Sequence, residues 1–217
     1  MKTAVIGVGN IGKQVALNLI AGGQDVIVAD HGATKATEFA KASGGKARAG
    51  SVADAVNEAD VIIFAVYFDA IKGLLAEYRN KLVGKIVVDP SNPIGPDGSG
   101  GFKKIIPQDQ SSGQILAALL PPGAKFVKAF GSLTAGSLKS DARHSPEPYV
   151  LFYASDDRDA GNAVADLIKA SGFAPVRVGG VSQAIRIEAF GDLHQMGKLG
   201  RLVTAKEAAA LDILKPR

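Results

Sequence analysis

Three glycines and one acid carry the first chemical suggestion in this chain. Gly7-Val8-Gly9-Asn10-Ile11-Gly12 has the spacing G-x-G-x-x-G. In a strand-to-helix turn, Gly7 permits the tight bend and Gly9 lets the backbone approach a pyrophosphate. Gly12 lets the helix close onto the strand. The free amides of a helix beginning near Asn10 and Ile11, at the positive end of its dipole, would then hold the phosphates. Asp30 ends the next apolar run, about where the motif places a carboxylate for ribose hydroxyls.

The elements needed to position these residues are legible around them. Residues 2–6 read as a buried strand and 14–20 as a helix packed on a sheet. Asp25–Ala29 reads as a second strand, with a helix over 35–43 and a short third strand at 46–49. Ser51 caps a brief helix with Asp54 in its first turn. Val61–Val66 is a continuous apolar run, as expected of a central parallel strand covered on both faces. A helix to Tyr78 and a strand over 85–89 follow, and Pro90-Ser91-Asn92-Pro93 cannot continue a ladder. The Gly-rich stretch 94–101 reads as a surface loop, with a lid as its functional version. A helix over 112–120, a strand over 125–130, a polar loop over 135–148, a strand over 149–153, a helix over 160–170 and a strand over 175–178 complete the pattern. The tail reads as helical over 184–193 and 203–214.

This alternation predicts an α/β fold: a Rossmann-like doubly wound, mainly parallel sheet with a small C-terminal α/β extension. We divide it into a nucleotide-binding domain over residues 1–135 and an extension over 136–217 packed on it.

Composition narrows the chemistry. The 217 residues include no Cys, which excludes a disulfide framework, a thiol nucleophile and a thiolate metal site. His31, His144 and His194 are the only imidazoles and are far apart in sequence, so no metal centre is expected. The net charge of +4 is modest and its cations are scattered, leaving no nucleic-acid footprint. No apolar run approaches membrane-spanning length, and the chain opens directly on a strand. A cytoplasmic protein with neither membrane nor nucleic-acid partners is the expectation.

Ligands of open α/β sheets bind beyond the carboxyl ends of the strands. The turn over residues 7–12 and the pair Asp30-His31 would hold the adenosine half of a dinucleotide, with Lys35 near them. Val66-Tyr67-Phe68, Ser91-Asn92-Pro93 and Phe130-Gly131-Ser132 would surround a nicotinamide, with Thr134 as a further hydrogen-bonding group. Tyr67 and Phe68 offer flat apolar surface, or else pack in the core. No nucleophile–base pair stands out, and neither His144 nor His194 is assigned as an essential base. Hydride transfer between two bound cofactors needs alignment and water exclusion more than a proton-transfer residue.

Two later stretches carry a resemblance. These are residues 126–132, Phe-Val-Lys-Ala-Phe-Gly-Ser, and Ala154-Ser155-Asp156-Asp157 with the helix and the run 172–182 that follow it. With the glycine turn and the chain length, they resemble the coenzyme F420-dependent NADP oxidoreductase family across nearly the whole chain. That family is in turn similar to the reductase domains of membrane-bound metalloreductases. The resemblance implies NADP(H) on the glycine turn and a homodimer. It also implies a deazaflavin facing the nicotinamide near residues 66–68, 132–135 and Ser182. One departure matters. NADP-selecting members tend to carry Ser or Asn and then Arg after the second strand, where this chain has Asp30-His31. A carboxylate there favours ribose hydroxyls and repels a 2′-phosphate, an effect His31 and Lys35 would partly offset. Asp30 thus points to NAD and the resemblance to NADP.

The expected activity is hydride transfer between NAD(P)H and a second flat redox cofactor, a deazaflavin or a flavin. An NAD(P)-dependent small-molecule dehydrogenase or imine reductase is the alternative enzyme. A non-catalytic NAD(P)H sensor is the alternative outside enzymes.

Overall fold

A computed structural model describes residues 1–211. In chain order the elements are β1 (Thr3–Ile6), α1 (Asn10–Ala21), β2 (Val26–Ala29), α2 (Ala33–Ala42), β3 (Ala47–Ala49), α3 (Val52–Glu58), β4 (Val61–Phe64) and α4 (Phe68–Glu77). Then come β5 (Ile86–Asp89), β6 (Ile94–Pro96), β7 (Phe102–Lys104), α5 (Ser112–Leu119), β8 (Lys125–Lys128) and α6 (Ala135–Ser140). Last are β9 (Val150–Ala154), α7 (Arg158–Ala170), β10 (Ala174–Gly179) and α8 (Ala205–Ala209), with 3-10 turns at Arg79–Lys81 and Val181–Ile187.

Eight strands form one sheet in the order β10-β9-β8-β5-β4-β1-β2-β3. The six strands from β3 to β8 are parallel. β9 meets β8 antiparallel at Lys128–Ala154, and β10 runs parallel to β9. The direction of winding reverses between β1 and β4, where a doubly wound sheet opens its ligand crevice.

Alternation along the central strands sends side chains to both faces. Val5, Ile63 and Val88 pack with Val15 and Leu19 of α1 and with Val164 and Ile168 of α7. Ile6, Ile62 and Phe64 pack with Val56 of α3, Ile71 and Leu75 of α4 and Leu116 of α5. Phe152 and Val150 of β9 are covered by Ala184, Ile187, Leu193 and Val203, so the tail closes the outer part of one face.

Four sequence readings change. The stretch 94–101 is part of a β6–β7 hairpin, with Ile94 paired to Lys104 and Pro96 to Phe102. Asp97 organises its turn by accepting hydrogen bonds from the amides of Ser99 (2.7 Å) and Gly101 (2.9 Å). The polar run 135–148 begins with α6, whose first turn is capped by Thr134 and whose Leu138 is buried. Residues 184–193 form the end of a 3-10 turn and a tight loop, because Glu188 turns into the interior. Among the described residues of the helix expected over 203–214, only Ala205–Ala209 is helical; residues 212–217 lie outside the described residues.

The closure of α1 onto the sheet depends on two glycines. Gly7 has φ +99°, and a Cβ there would lie 2.4 Å from the Ala65 carbonyl oxygen. A Cβ on Gly12 would lie 1.9 Å from the Gly7 carbonyl oxygen. A Cβ on Gly9 would meet nothing within 4 Å. Gly12→Ala is therefore expected to cost ~3 kcal/mol or more of stability through overpacking against backbone. Gly9→Ala is expected to cost no more than about 1 kcal/mol, the ordinary difference between these residues at a helix N-cap. Denaturant unfolding of the two variants checks the contrast.

Candidate functional site

The carboxyl edge of the parallel strands gathers most of the residues singled out from sequence. At the β1–α1 turn, Gly9 is the N-cap of α1, no side chain caps it and no acid occupies the first turn. Lys13 makes the first intrahelical hydrogen bond, to the Gly9 carbonyl at 2.9 Å, so the amides of Asn10, Ile11 and Gly12 precede the ladder. Gly9 and Asn10 are exposed. Asp30 is half-buried beside this turn, and its Oδ2 accepts the Val8 amide at 2.8 Å. That bond holds the acid against the glycine turn, and its Oδ1 has no hydrogen-bond partner among the described residues. His31 and Lys35 are exposed at the start of α2.

After β4 the two aromatics part company. Tyr67 is 88 % exposed, whereas Phe68 is 4 % exposed and packs in the core. The ammonium of Lys72 lies 4.7 Å from the centre of the Phe68 ring. Tyr67 alone of this pair presents an open aromatic face; Phe68, as the first residue of α4, turns inward with the helix's apolar stripe.

After β5, both backbone polar groups of Ser91 are clamped. Its amide donates to Asp89 Oδ1 at 2.7 Å, and its carbonyl accepts from Lys128 Nζ at 2.5 Å. Lys128 also donates to Asp89 Oδ2 (2.5 Å) and Ser112 Oγ (3.2 Å), which uses all three of its N–H groups. Lys128 and Asp89 are 1 % and 0 % exposed. Glu188 completes the cluster, 3.9 Å from the Lys128 ammonium. It also accepts from Ser111 Oγ (2.7 Å) and the amides of Ser112 (3.1 Å) and Gly113 (2.9 Å) at the start of α5. Burial pushes the Glu188 carboxyl up, but the Lys128 charge and these donors together hold it below the usual carboxylate range.

The tail then grips the turn after β8. Phe130 has φ +64°, a left-handed conformation that costs a non-glycine residue roughly 1 kcal/mol or more. The Gly131 carbonyl accepts from Asn92 Nδ2 (3.0 Å) and pairs with His194 Nε2 (2.9 Å). The Asn92 Oδ1 takes the Ala189 amide at 2.6 Å. Gln195 donates its amide to the Ser132 carbonyl (3.0 Å), and its Oε1 accepts the Thr134 amide (3.0 Å). Asn92 thus bridges three segments, and Thr134 caps α6.

Two polar atoms at this edge stand out. The hydroxyls of Ser91 and Ser132 are buried and have no hydrogen-bond partner among the described residues. Such groups are costly unless something pairs them.

Ser182 does not join this group. β9 and β10 run against β8, so β10 leaves the sheet near the amino end of β8. There Asp156 accepts the Val181 amide at 2.9 Å, and Ser155 donates to the Phe126 carbonyl at 2.8 Å. Ser182 is exposed at that opposite edge. A separate hollow lies there too, lined in part by Lys2, Thr3, Arg48, Glu58 and Asp60 at the amino ends of β1–β3. There Arg48 pairs with Glu58 at 2.6 Å, and Asp60 accepts the Lys2 backbone amide at 2.8 Å. Among the described residues, no cluster of three metal-ligating side chains occurs and no helix is long and apolar enough to cross a membrane.

The sequence reading gives Lys128, Glu188 and Gln195 no role, sets His194 aside, and takes Asp89 only as the end of a strand. A usable signal existed for two of them: Lys128 interrupts the apolar run 126–130 and Asp89 ends the apolar run 86–88. Charges inside buried strands are kept when they are paired.

Residues 2–93 match the family described as NADP oxidoreductase, coenzyme F420-dependent. The F420-dependent NADP reductase of Methanothermobacter marburgensis is 30% identical over 199 residues, covering 87% of this chain and 88% of that protein. The chain belongs to the F420-dependent NADP oxidoreductase family. As a member of that family it is a nicotinamide-dependent oxidoreductase. Metalloreductase STEAP3 of Rattus norvegicus is 28% identical over 188 residues. That match covers 87% of this chain and 36% of the rat protein, so the chain spans about a third of its length. A solved Sinorhizobium meliloti structure superposes with TM-score 0.81 at 30% identity, covering 94% and 95% of the two chains. Pyrroline-5-carboxylate reductase of Coxiella burnetii shares the fold, with TM-score 0.62 at 17% identity over 88% of this chain and 64% of that one.

His194 yields a pH prediction for this member. Burial, together with the nearby Lys128 charge, outweighs the Gly131 contact and lowers its pKa from 6.5 to about 4. Its Nδ1 accepts the Met196 amide at 2.8 Å, so the neutral ring donates from Nε2 to the Gly131 carbonyl. The unfolded chain binds a proton on this ring below about pH 6.5 and the folded one only below about 4, so stability falls as pH drops through that window. Between pH 7 and 5 the loss from this group is ~2 kcal/mol. His194→Gln, which cannot gain the charge, is expected to lose that much less stability over the same interval by denaturant unfolding.

Proposed function

We propose that this protein transfers a hydride between NADPH and a deazaflavin of the 8-hydroxy-5-deazaflavin class. The observation that carries the reading is the β1–α1 turn. Gly7 and Gly12 are demanded by the packing, whereas Gly9 faces open space and no packing contact demands a glycine there. A glycine where the packing does not need one suits a backbone that must admit a pyrophosphate. The uncapped α1 N-terminus, without an acid in its first turn, supplies the amides and dipole for the same group.

The residues present fit the rest of the coenzyme. Asp30, with His31 and Lys35, would face the adenosine ribose. Val66 and Tyr67 would flank the nicotinamide, and the turns at Ser91-Asn92-Pro93 and Phe130–Ser132 would bound it. The unpartnered hydroxyls of Ser91 and Ser132 would meet polar edges of the bound rings. When bound, the nicotinamide supplies the hydride and a facing deazaflavin accepts it. The protein's part is to align the two rings and exclude water. His194 has both ring nitrogens engaged, and no proton-transfer role is assigned to it.

Asp30 supports a second reading in which NADH is the coenzyme, because its carboxylate beside the turn would repel a 2′-phosphate. A free flavin is the corresponding alternative acceptor. We also infer that residues 136–217 act as an extension of a 1–135 nucleotide domain, and that the protein works as a homodimer. β9 and β10 continuing the same sheet support the former. The homodimer is carried by family resemblance, and a monomer by light scattering at micromolar concentration would remove it.

Side-by-side titration of NADH and NADPH against the native protein and Asp30→Ala tests the coenzyme. NADPH is expected to bind the native protein, and Asp30→Ala to strengthen NADPH at least severalfold relative to NADH. Native preference for NADH, lost in the variant, would establish the second reading. Gly9→Ala is expected to weaken either coenzyme about tenfold or more while leaving the fold intact. Oxidation of NADPH coupled to loss of deazaflavin absorbance checks the reaction. Failure with deazaflavin and with free flavins would remove it.

A further inference from the structure

Lys128 is the most deeply buried cation at the carboxyl edge, and the proposed hydride transfer assigns it no direct part. Its position answers a question raised by Ser91. The Ser91 hydroxyl is buried without a partner, yet its backbone is held on both sides, the amide by Asp89 and the carbonyl by Lys128. A hydroxyl left unpaired on so firmly fixed a backbone is what a prearranged binding group requires. The same ammonium ties this turn to Ser112 of α5 and, through Glu188, to the tail. The residue after Glu188 fastens Asn92, and Asn92 fastens Gly131 beside Ser132. One cation therefore sits at the root of both turns that carry an unpartnered hydroxyl.

We propose that Lys128 is a positioning residue for the nicotinamide half of the coenzyme. It acts through Asp89 and the Ser91 backbone, and through Glu188 and Asn92 on the turn at Gly131. Asp89 pairs with its charge and fixes its direction, since charges held in a water-poor interior must be paired. Glu188, held by Ser111 and the first amides of α5, lies 3.9 Å away. The adenosine half lies at the β1 and β2 ends, and none of the hydrogen bonds described for this cluster reaches it. This inference rests on the reading that these strand ends receive a nicotinamide.

The test compares a coenzyme with its fragment lacking nicotinamide. NADPH is paired with 2′-phospho-ADP-ribose, or NADH with ADP-ribose if that is the coenzyme that binds. Lys128→Met is expected to weaken the whole coenzyme about tenfold, as loss of a hydrogen-bonding arrangement would. Its affinity for the fragment should stay within twofold, and the emission of the bound reduced nicotinamide should shift towards that of the free coenzyme. A merely structural loss would weaken both ligands alike, and that result would overturn the proposal. So would an unchanged ratio between them. Because Lys128→Met leaves Asp89 buried and unpaired, Asp89→Leu/Lys128→Met serves as a second variant that removes both charges while lifting the same clamp. The same change in ratio is expected there, and an unchanged ratio with a folded protein sinks the idea. If the native protein binds neither coenzyme, the functional reading itself has failed. If it binds one but the variants keep the native ratio, only the role of Lys128 falls.

Discussion

The carbonyl oxygen of Gly7 lies where a methyl group on residue 12 would have to be. That contact between a strand exit and a helix start sets the geometry of the site. It brings α1 against β1, aims the first amides of the helix past Gly9, and leaves room for the Asp30 carboxylate to take the Val8 amide. A side chain at 7 or 12 would push the helix away from β1 and β4, and the crevice between those strands would lose its wall. The central parallel strands, apolar on both faces, supply the rigid base on which this close approach can be maintained.

A second constraint builds the other half of the edge. β9 and β10 reverse direction relative to β8, which sends the chain to the amino edge and then back along one face to Glu188. The return allows the tail to reach the β5 and β8 turns with Glu188, Ala189, His194 and Gln195. It also leaves Ser182 at the wrong edge to join them. The left-handed backbone at Phe130 persists because the carbonyls of Gly131 and Ser132 are both fastened by this returning segment.

The two halves suit different tasks. The glycine turn is open and supplied with unpaired amides, as the binding of a charged, flexible group requires. The β5 and β8 turns are braced by buried ions and doubly bonded carbonyls, as the alignment of two flat rings requires. Neither half displays a nucleophile activated by a base, in keeping with chemistry whose demands are distance, orientation and dryness.

The eight strands of the main sheet, their alternation with helices, the glycine turn and Asp30 were determined by the sequence itself. Local apolar period and glycine spacing report directly on pleat, helix face and close approach. The β6–β7 hairpin escaped the reading because Asp97 makes its turn through side-chain bonds, without the alternation that marks a hairpin. The bracing of the site was decided only by the tertiary structure. Asp89, Lys128 and Glu188 come from three segments, and a lysine in a strand carries no local mark of what will pair with it. The fate of Asn92 is of the same kind. Hydrogen bonding and burial at those positions depend on which distant backbone arrives beside them, and the antiparallel turn of β9 decides that arrival.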